Sequence, residues 1–238
     1  MDRVDYLRPG GPRYLQREGV FKLGTDSVLL AAFARPGRVR RALDLGCGGG
    51  VLPLLLLDEK PALTVDGLER DPAALSLSRE NAALNGLEER FRLIEGDWRD
   101  HRTLLEAGAY DLVISNPPYF PRGSGFVSDA MGHARQEEAS LPELCAAAAF
   151  ALRWGGSFAL VHRPERLSEL FCALTAAGLE PKRLRLVQKG PEAAPTLVLV
   201  EAIRGAKSGL RFEPPLLLTG PEGGESEELK RIYGREGL

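Results

Sequence analysis

The feature that most constrains the fold is a short apolar segment that runs directly into a glycine-rich turn. Residues 41–45 have the pattern of a buried β-strand, and four of the next five residues, 46–50, are glycine. The apolar stretch that follows, residues 51–57, indicates a buried helix. Glycines let the backbone approach a ligand closely, and a helix N-terminus favours a carboxylate or a phosphate. The sequence therefore predicts a strand, loop and helix that form one half of a nucleotide-type site.

Strand and helix patterns alternate along the chain from residue 39 to residue 163. This alternation predicts right-handed βαβ units, a parallel sheet and an α/β, Rossmann-like fold. Two late strands, near residues 183–188 and 196–203, have no helix between them, so we expect an antiparallel hairpin at the sheet edge. We assign residues 36–238 to this domain and expect residues 1–35 to pack across the ligand cleft.

The other predicted strands are 63–69, 91–96, 110–115 and 157–162. Two later helices are predicted at 141–153, opened by a capping box at Ser140 and Glu143 and closed by Gly155 and Gly156, and at 164–177.

The residues around the glycine loop indicate which ligand it binds. The dinucleotide-binding fingerprint has Gly or Ala where this chain has Val51, and it does not require an acid at the position of Asp44. An acid followed by alternating glycines, here Gly46, Gly48 and Gly50, instead suits S-adenosylmethionine, whose ammonium group favours a nearby carboxylate.

Two acidic residues after neighbouring strands complete the predicted cofactor site. Glu69 ends the next strand, about 20 residues beyond the loop, the spacing expected for a carboxylate that binds ribose hydroxyls. Asp97 follows the third strand, and we predict that it accepts a hydrogen bond from the adenine amine; the alternative is a turn aspartate beside a core tryptophan, Trp98. Asp71 has the position of a helix N-cap, and Asp66 lies too early on its strand to reach the ligand.

The second motif is Asn116-Pro117-Pro118-Tyr119, which ends the apolar run 110–115. The turn is stiff because each proline lacks an N–H and fixes its own φ. An amine on a nucleobase or a carboxamide is a poor nucleophile, since its lone pair is delocalised. The Asn116 side-chain oxygen and the Pro117 carbonyl can accept hydrogen bonds from such an amine and turn the lone pair toward an electrophilic carbon, while Tyr119 stacks on the planar substrate. We predict Asn116, Pro117 and Tyr119 as catalytic residues, with Asn116 also beside the cofactor.

Together these motifs resemble class I S-adenosylmethionine-dependent methyltransferases of the branch that methylates amino groups with Asn-Pro-Pro-Tyr. Residues 21–31 ahead of the loop, and the tail segments 197–202, 205–210, 214–216 and 232–234, are similar to bacterial tRNA1(Val) adenine-N6 methyltransferases. The resemblance extends from residue 14 to residue 233. Residues 133–137 also resemble a substrate-side loop of this branch, within a segment, 120–138, that we expect to form a flap over the substrate.

The resemblance implies more than the motifs alone. It implies a seven-stranded, mostly parallel sheet in the order 3-2-1-4-5-7-6 with the seventh strand antiparallel, and S-adenosylmethionine as the cofactor. It implies a tRNA substrate, with methyl transfer to the N6 amine of the adenine beside the anticodon of a valine tRNA. It places Thr25 and Asp26 against the cofactor, although either can instead cap a helix at 27–33.

Three alternatives stay open at this point. A glutamine-N5 protein methyltransferase of release factors shares the Asn-Pro-Pro-Tyr motif, but such enzymes usually carry a sizeable helical domain for which the first 35 residues leave no room. A guanine-N2 methyltransferase of ribosomal RNA is a second alternative. The third is a binding module that retains cofactor or RNA without turnover.

Composition narrows the classes of protein to which the chain can belong. A hydrophobic content of 44% over 238 residues supplies a core. No apolar run approaches the ~20 residues of a membrane span, and the start has no secretory signal pattern. The 3 cysteines have no metal-ligand or pairing pattern, so we expect a cytoplasmic protein without bound metal or membrane contact. The net charge of −2 weakly opposes a nucleic-acid substrate, but basic clusters at 38–41, 182–189 and 207–211 can contact phosphates unless they are merely solvated. The composition leaves the oligomeric state open.

Overall fold

A large sheet with helices on both faces organises the chain, and a small hairpin lies beside it. The computed structural model describes residues 2–17, 24–34, 37–118 and 140–235. The strands are β1 (Arg3–Tyr6), β2 (Arg13–Gln16), β3 (Arg41–Leu45), β4 (Thr64–Glu69), β5 (Phe91–Glu95), β6 (Tyr110–Ser115), β7 (Leu152–His162), β8 (Leu179–Gln188), β9 (Pro195–Arg204), β10 (Arg211–Phe212) and β11 (Leu216–Leu217). The helices are α1 (Thr25–Ala34), α2 (Val51–Glu59), α3 (Pro72–Leu84), α4 (His101–Leu104), α5 (Leu141–Ala151), α6 (Leu167–Ala176) and α7 (Glu227–Ile232). Short 3₁₀ turns lie at Trp98–Asp100 and Pro164–Arg166.

The central strands confirm the expected order. Across the sheet β5, β4, β3, β6, β7, β9 and β8 are successive neighbours, which is the order 3-2-1-4-5-7-6 when strands are counted from β3. β9 runs antiparallel to both β7 and β8. The pairs between β5 and β7 are all parallel. The carboxyl ends of β3, β4, β5 and β6 therefore meet at one edge of the sheet, where ligands bind in folds of this type.

The expected number of seven strands is wrong at one side of the sheet. Two short tail strands, β10 and β11, both pair in parallel with β8, so the part of the chain that the structure describes places nine strands in this sheet. The β8–β9 hairpin forms as predicted, but β10 and β11 cover its outer side. Segments of two residues carry no hydrophobic period, which explains why the sequence pattern does not reveal them.

Side chains alternate between two cores on opposite faces of the sheet. Ala42 and Ile114 pack with α1 and α2 on one face, and their sequence neighbours Leu43 and Val113 pack with α5 and α6 on the other. Because strand side chains repeat every two residues, Asp44 and Asn116 continue on the α1 face. Two candidate site residues on different strands thus share a face before any contact is considered.

Two predicted helix starts are confirmed by their caps. Asp71 precedes α3 and accepts a hydrogen bond from the N–H of Ala73 at 2.9 Å. Ser140 precedes α5, where its hydroxyl accepts from the N–H of Glu143 and the Glu143 carboxylate accepts from the N–H of Ser140 at 2.7 Å. These bonds satisfy backbone donors that the first helical turn leaves without partners.

The predicted end of α5 is wrong by two residues. The helix stops at Ala151, and β7 begins at Leu152. Gly155 and Gly156, expected to close the helix, lie inside β7, where the pairing with β6 shifts register. Glycines mark a strand irregularity as readily as a helix end, and the sequence pattern alone does not separate the two.

The β1–β2 hairpin is attached to α3 through two asparagines one turn apart. Asn81 accepts from the N–H of Leu15 at 2.7 Å and donates to the carbonyl of Leu15 at 3.2 Å. Asn85 makes the same pair of bonds with the N–H and carbonyl of Arg13, at 2.9 and 2.7 Å. Each carboxamide thus replaces a neighbouring strand along one side of β2. The division of the chain between residues 35 and 36 stays a prediction.

Candidate functional site

The glycine loop turns sharply over the end of β4. The N–H groups of Gly46 and Cys47 both donate to the carbonyl of Leu68, at 2.9 and 3.1 Å. Gly46 has a φ of +81°, and a Cβ there would lie 2.9 Å from the ring of Trp98. Gly48 has a φ of +54°, and apart from Gly48 and its two chain neighbours no atom of the described residues lies within 4 Å of the position its Cβ would take. The first glycine is required by the close ring, and the second leaves room for a ligand in front of the loop.

Asp44 is a buried carboxylate just before this loop. It is 1% exposed, and within the described residues its Oδ1 atom has no hydrogen-bond partner. Burial, followed by the nearby negative charge of Glu69, raises the pKa of Asp44 well above its usual value. A buried acceptor of this kind is costly unless a donor or a positive charge reaches it. It fits the ammonium group of S-adenosylmethionine.

Glu69 lies at the end of β4 and contacts the loop directly. Its Oε2 accepts from the N–H of Gly48 at 2.9 Å, and its Oε1 accepts from the N–H groups of Arg70 and Asp71, each at 2.9 Å. These bonds hold the carboxylate beside the open side of Gly48. This is the position at which ribose hydroxyls are expected, and the ribose contact of Glu69 stays a prediction.

The carboxylate of Asp97, which follows β5, accepts hydrogen bonds from neighbouring groups. Its carboxylate accepts from the N–H of Arg99 at 2.9 Å, from the Arg99 guanidinium at 2.8 Å and from Arg70 at 3.4 Å. Burial alone would raise the pKa of Asp97, but these hydrogen bonds and positive charges outweigh burial and lower the pKa. Asp97 thus caps the short turn that follows, which agrees with its alternative interpretation as a turn aspartate. Its contact with the adenine of the cofactor stays a prediction.

Trp98 lies against the glycine loop rather than in the deep core. Its ring packs on Gly46, and its Nε1 atom is buried without a hydrogen-bond partner among the described residues. A flat aromatic surface and an indole donor at the loop fit a planar ligand such as an adenine ring. The composition of the loop does not predict this contact, because Trp98 is 52 residues away from Gly46 in sequence.

The end of β6 is joined to the end of β3. The hydroxyl of Ser115 donates to the carbonyl of Leu45 at 2.7 Å. The register of the two strands pairs Asp44 with Ile114, so Asn116 follows its strand at the same level as the glycine loop follows β3. The structure therefore brings the two sequence motifs together at one edge of the sheet.

The Asn116 side chain is held by a residue that the sequence analysis did not identify. Its Nδ2 donates to the hydroxyl of Ser27 in α1 at 3.0 Å. Pro117 is buried and Pro118 is exposed. Tyr119, and with it the expected flap at 120–138, lies outside the described residues. The catalytic roles of Asn116, Pro117 and Tyr119 stay predictions.

Thr25 and Asp26 lie in the first turn of α1, the same helix that carries Ser27. Thr25 is exposed and Asp26 is half-buried. Both are inside the helix rather than ahead of it, and an acid in this turn is favoured by the helix dipole. Their cofactor contacts stay predictions, although α1 is shown to reach Asn116.

Asp66 and Arg41, the first residue of β3, are used for structure. Asp66 accepts hydrogen bonds from Tyr110 at 2.6 Å, Arg92 at 2.9 Å and Arg41 at 3.1 Å. This confirms that Asp66 belongs to the strand rather than to the ligand site. The cluster 38–41 ends at the first residue of β3 and therefore lies at the edge of the sheet opposite the glycine loop, and its phosphate contacts stay a prediction.

Two arginines of the second basic cluster, at 182–189, are structural, which corrects their interpretation as phosphate contacts. Arg183 is 5% exposed; it donates to Glu201 at 2.7 Å and to the carbonyl of Phe33 at 2.6 Å. Arg185 donates to Glu228 of α7 at 2.7 Å. Both arginines fasten helices to β8. A guanidinium group that is paired and buried, as in Arg183, is not available to RNA.

The described residues hold no group of three or more His, Cys, Asp and Glu that could bind a metal ion. They also include no helix with the length and apolar character needed to cross a membrane.

Sequence comparison identifies the family. Residues 15–171 match the family model described as "Methyltransferase small domain", which is more than half of the chain. The chain belongs to the methyltransferase small domain family. The matched region contains the glycine loop, Asp44, Glu69, Asp97 and Asn116, so the described residues of the candidate site fall within this methyltransferase domain.

Three curated relatives of this methyltransferase have one name in common. The chain is 35% identical to a tRNA1(Val) (adenine(37)-N6)-methyltransferase of Aeromonas hydrophila, over 69% of this chain and 75% of the relative. It is 35% identical to that of Tolumonas auensis over 75% of each chain. It is 32% identical to that of Cronobacter sakazakii over 84% of this chain and 82% of the relative.

Solved structures confirm the methyltransferase fold. A protein from Agrobacterium tumefaciens described as a predicted O-methyltransferase has a TM-score of 0.72 and 22% identity, covering 90% of this chain and 98% of that one. Pyrococcus horikoshii TYW2 in complex with MeSAdo has a TM-score of 0.59 and 17% identity, covering 86% of this chain and 72% of that one. At these identities the likeness supports the fold alone.

Proposed function

We propose that this methyltransferase transfers a methyl group from S-adenosylmethionine to the N6 amine of an adenine in tRNA, at position 37 of a valine tRNA. The observation that carries the proposal is the Ser115 to Leu45 hydrogen bond, which joins the Asn116 turn to the glycine loop. A cofactor loop next to an acceptor side chain on a stiff turn suits methylation of a weakly nucleophilic amine. The RNA and the position follow from relatives that share 32–35% identity.

Four residues provide the cofactor side of the proposed site. Asp44 offers its buried Oδ1 to the ammonium group, and Glu69 offers its carboxylate to the ribose. Asp97 and Trp98 lie after β5, where the adenine would be bound. S-adenosylmethionine supplies the methyl group, whose C–S bond breaks as the C–N bond forms, and the amine proton passes to water.

The substrate side depends on the Asn116 turn. The Asn116 Oδ1 accepts one N–H of the adenine amine and the Pro117 carbonyl accepts the other, which directs the lone pair toward the methyl group. Tyr119 stacks on the base. An unpaired loop adenine is the least costly base to extract from RNA, so the anticodon loop suits such a site.

Transfer of labelled methyl groups tests the proposal. The purified chain is incubated with methyl-labelled S-adenosylmethionine and, separately, with tRNA, ribosomal RNA and release-factor fractions. We expect label in tRNA, recovered as N6-methyladenosine after digestion to nucleosides. A valine tRNA transcript with guanine in place of adenine 37 is the matched control, and it should accept no label.

Three results would overturn the proposal. Label recovered only in release factor would assign a glutamine methyltransferase, and label recovered as N2-methylguanosine in ribosomal RNA would assign the guanine enzyme. Absence of transfer to all three fractions, together with tight cofactor binding, would leave a binding module.

A further inference from the structure

The contact between Ser27 and Asn116 joins α1 to the Asn-Pro-Pro turn. The Asn116 Nδ2 donates to the Ser27 Oγ at 3.0 Å. Ser27 is 6% exposed, and it is the polar member of a buried set in α1 that otherwise consists of Val28, Leu29, Leu30, Ala31, Phe33 and Ala34. A hydroxyl placed among apolar side chains costs free energy unless it is hydrogen-bonded, and here its partner is the candidate catalytic amide.

The orientation of that amide decides whether it can serve the reaction. A carboxamide has two donors on its nitrogen and an acceptor on its oxygen, and a substrate amine offers only N–H donors to be accepted. If the amide were rotated by half a turn, its own N–H groups would face those of the amine. In the observed rotamer Nδ2 donates to the Ser27 hydroxyl, so Oδ1 is directed away from Ser27.

We propose that Ser27 is a positioning residue that holds the Asn116 carboxamide with Oδ1 toward the substrate amine. The inference rests on the proposed function, because it assigns an orientation to the acceptor used there. Ser27 acts through Asn116 and does not touch the reacting atoms. Its location in α1, next to Thr25 and Asp26, makes that helix part of the catalytic arrangement.

Substitutions of matched shape separate the effect of the Ser27 hydroxyl from the effect of side-chain volume. Ser27→Thr keeps a hydroxyl, and Ser27→Val has the shape of Thr without it; Ser27→Ala removes the hydroxyl with little added volume. We expect kcat for methyl transfer to tRNA to fall about tenfold in the Val and Ala variants, the loss expected for one hydrogen bond, and to recover to within about twofold of the parent in the Thr variant. The KM for S-adenosylmethionine should stay unchanged in all three variants, whereas a general packing defect would change it.

A measurement independent of turnover tests the contact itself. The side-chain amide of Asn116 can be observed by ¹⁵N NMR, with its resonances assigned by their loss in Asn116→Asp. In Ser27→Val we expect the Nδ2 protons to shift upfield and to exchange faster with water than in Ser27→Thr.

The outcomes separate this inference from the proposed function. Equal kcat in the Thr and Val variants, or Asn116 amide signals that do not differ between them, would overturn the role of Ser27 while leaving tRNA methylation intact. A parent enzyme that binds cofactor but methylates no RNA would overturn the proposed function, and with it the role of Ser27 in turnover, even if the NMR contact were found.

Discussion

At the scale of single residues, Asp44 shows a conflict between stability and binding. Its carboxylate is buried, and Oδ1 has no hydrogen-bond partner among the described residues. Burial and the charge of Glu69 raise the pKa of Asp44 in the folded chain. Such an arrangement destabilises the fold without cofactor and is typical of a residue retained for a ligand.

Replacing Asp44 with Asn tests this conflict through pH. The pKa of Asp44 in the folded chain lies above its unfolded value of about 3.9. As the pH rises above about 3.9, Asp44 therefore ionises in the unfolded chain before it ionises in the folded chain. The parent loses stability over this range, until the pH has passed the folded pKa. Asp44→Asn removes this loss. We expect its Tm without cofactor to exceed that of the parent at pH 7 by a few degrees, since ~1 kcal/mol shifts Tm by about 2–4 °C at this size, and to approach the parent near pH 4. Thermal unfolding between pH 4 and pH 8 measures this.

The same variant should bind S-adenosylmethionine more weakly in calorimetry, because the ammonium group loses its counter-charge. A variant that is less stable than the parent at neutral pH, or that binds cofactor equally well, would contradict the role assigned to Asp44.

At the scale of elements, the N-terminal hairpin supports the glycine loop. Asn81 of α3 bonds both the N–H and the carbonyl of Leu15, and its Nδ2 also donates to the carbonyl of Gly49 at 3.0 Å. Tyr14 is 1% exposed, and a Cβ on Gly49 would lie 2.3 Å from its hydroxyl oxygen. One helix therefore couples β2 to the cofactor loop.

Asn81 and Asn85 offer a matched pair for testing this coupling. Both bond β2, but Asn81 is fully buried and reaches Gly49, whereas Asn85 is half-buried and does not bond the loop. We expect Asn81→Ala to lower the free energy of unfolding by roughly 1–3 kcal/mol, the cost of leaving buried backbone groups unpaired, and to weaken cofactor binding. Asn85→Ala should destabilise less and leave cofactor affinity unchanged. Denaturant unfolding and calorimetry compare the two; equal effects on cofactor affinity would show that the loop does not depend on Asn81.

These elements show which parts of the structure the sequence could predict. The bounds of β3, the cap at Asp71 and the capping box at Ser140 follow from local residue patterns, and each was predicted. The bonds from α3 to β2 join residues 66 to 72 positions apart, and a side-chain bond to a distant backbone leaves no periodic signal. Ser27 was missed for the same reason, since a single serine in an apolar helix has no pattern of its own.

At the scale of the whole molecule, sheet topology and burial decide which basic side chains can contact RNA. The cluster at 38–41 lies at the start of a parallel strand, and Arg183 is buried between Glu201 and the end of α1. Both looked like RNA contacts in sequence, where neither strand direction nor burial is visible. The order of the seven central strands was predicted from family resemblance, because hydrophobic periodicity identifies strands without ordering them.

The central claim for the molecule is that the Asn116 carboxamide activates the substrate amine beside the cofactor loop. Its most direct test is single-turnover methyl transfer to a valine tRNA by Asn116→Ala, measured together with cofactor affinity. We expect the rate to fall by about 100-fold or more, the scale of losing a positioned transition-state contact, while the Kd for S-adenosylmethionine changes by less than about threefold. A variant that keeps the parent rate, or that loses cofactor binding in proportion to turnover, would contradict the account.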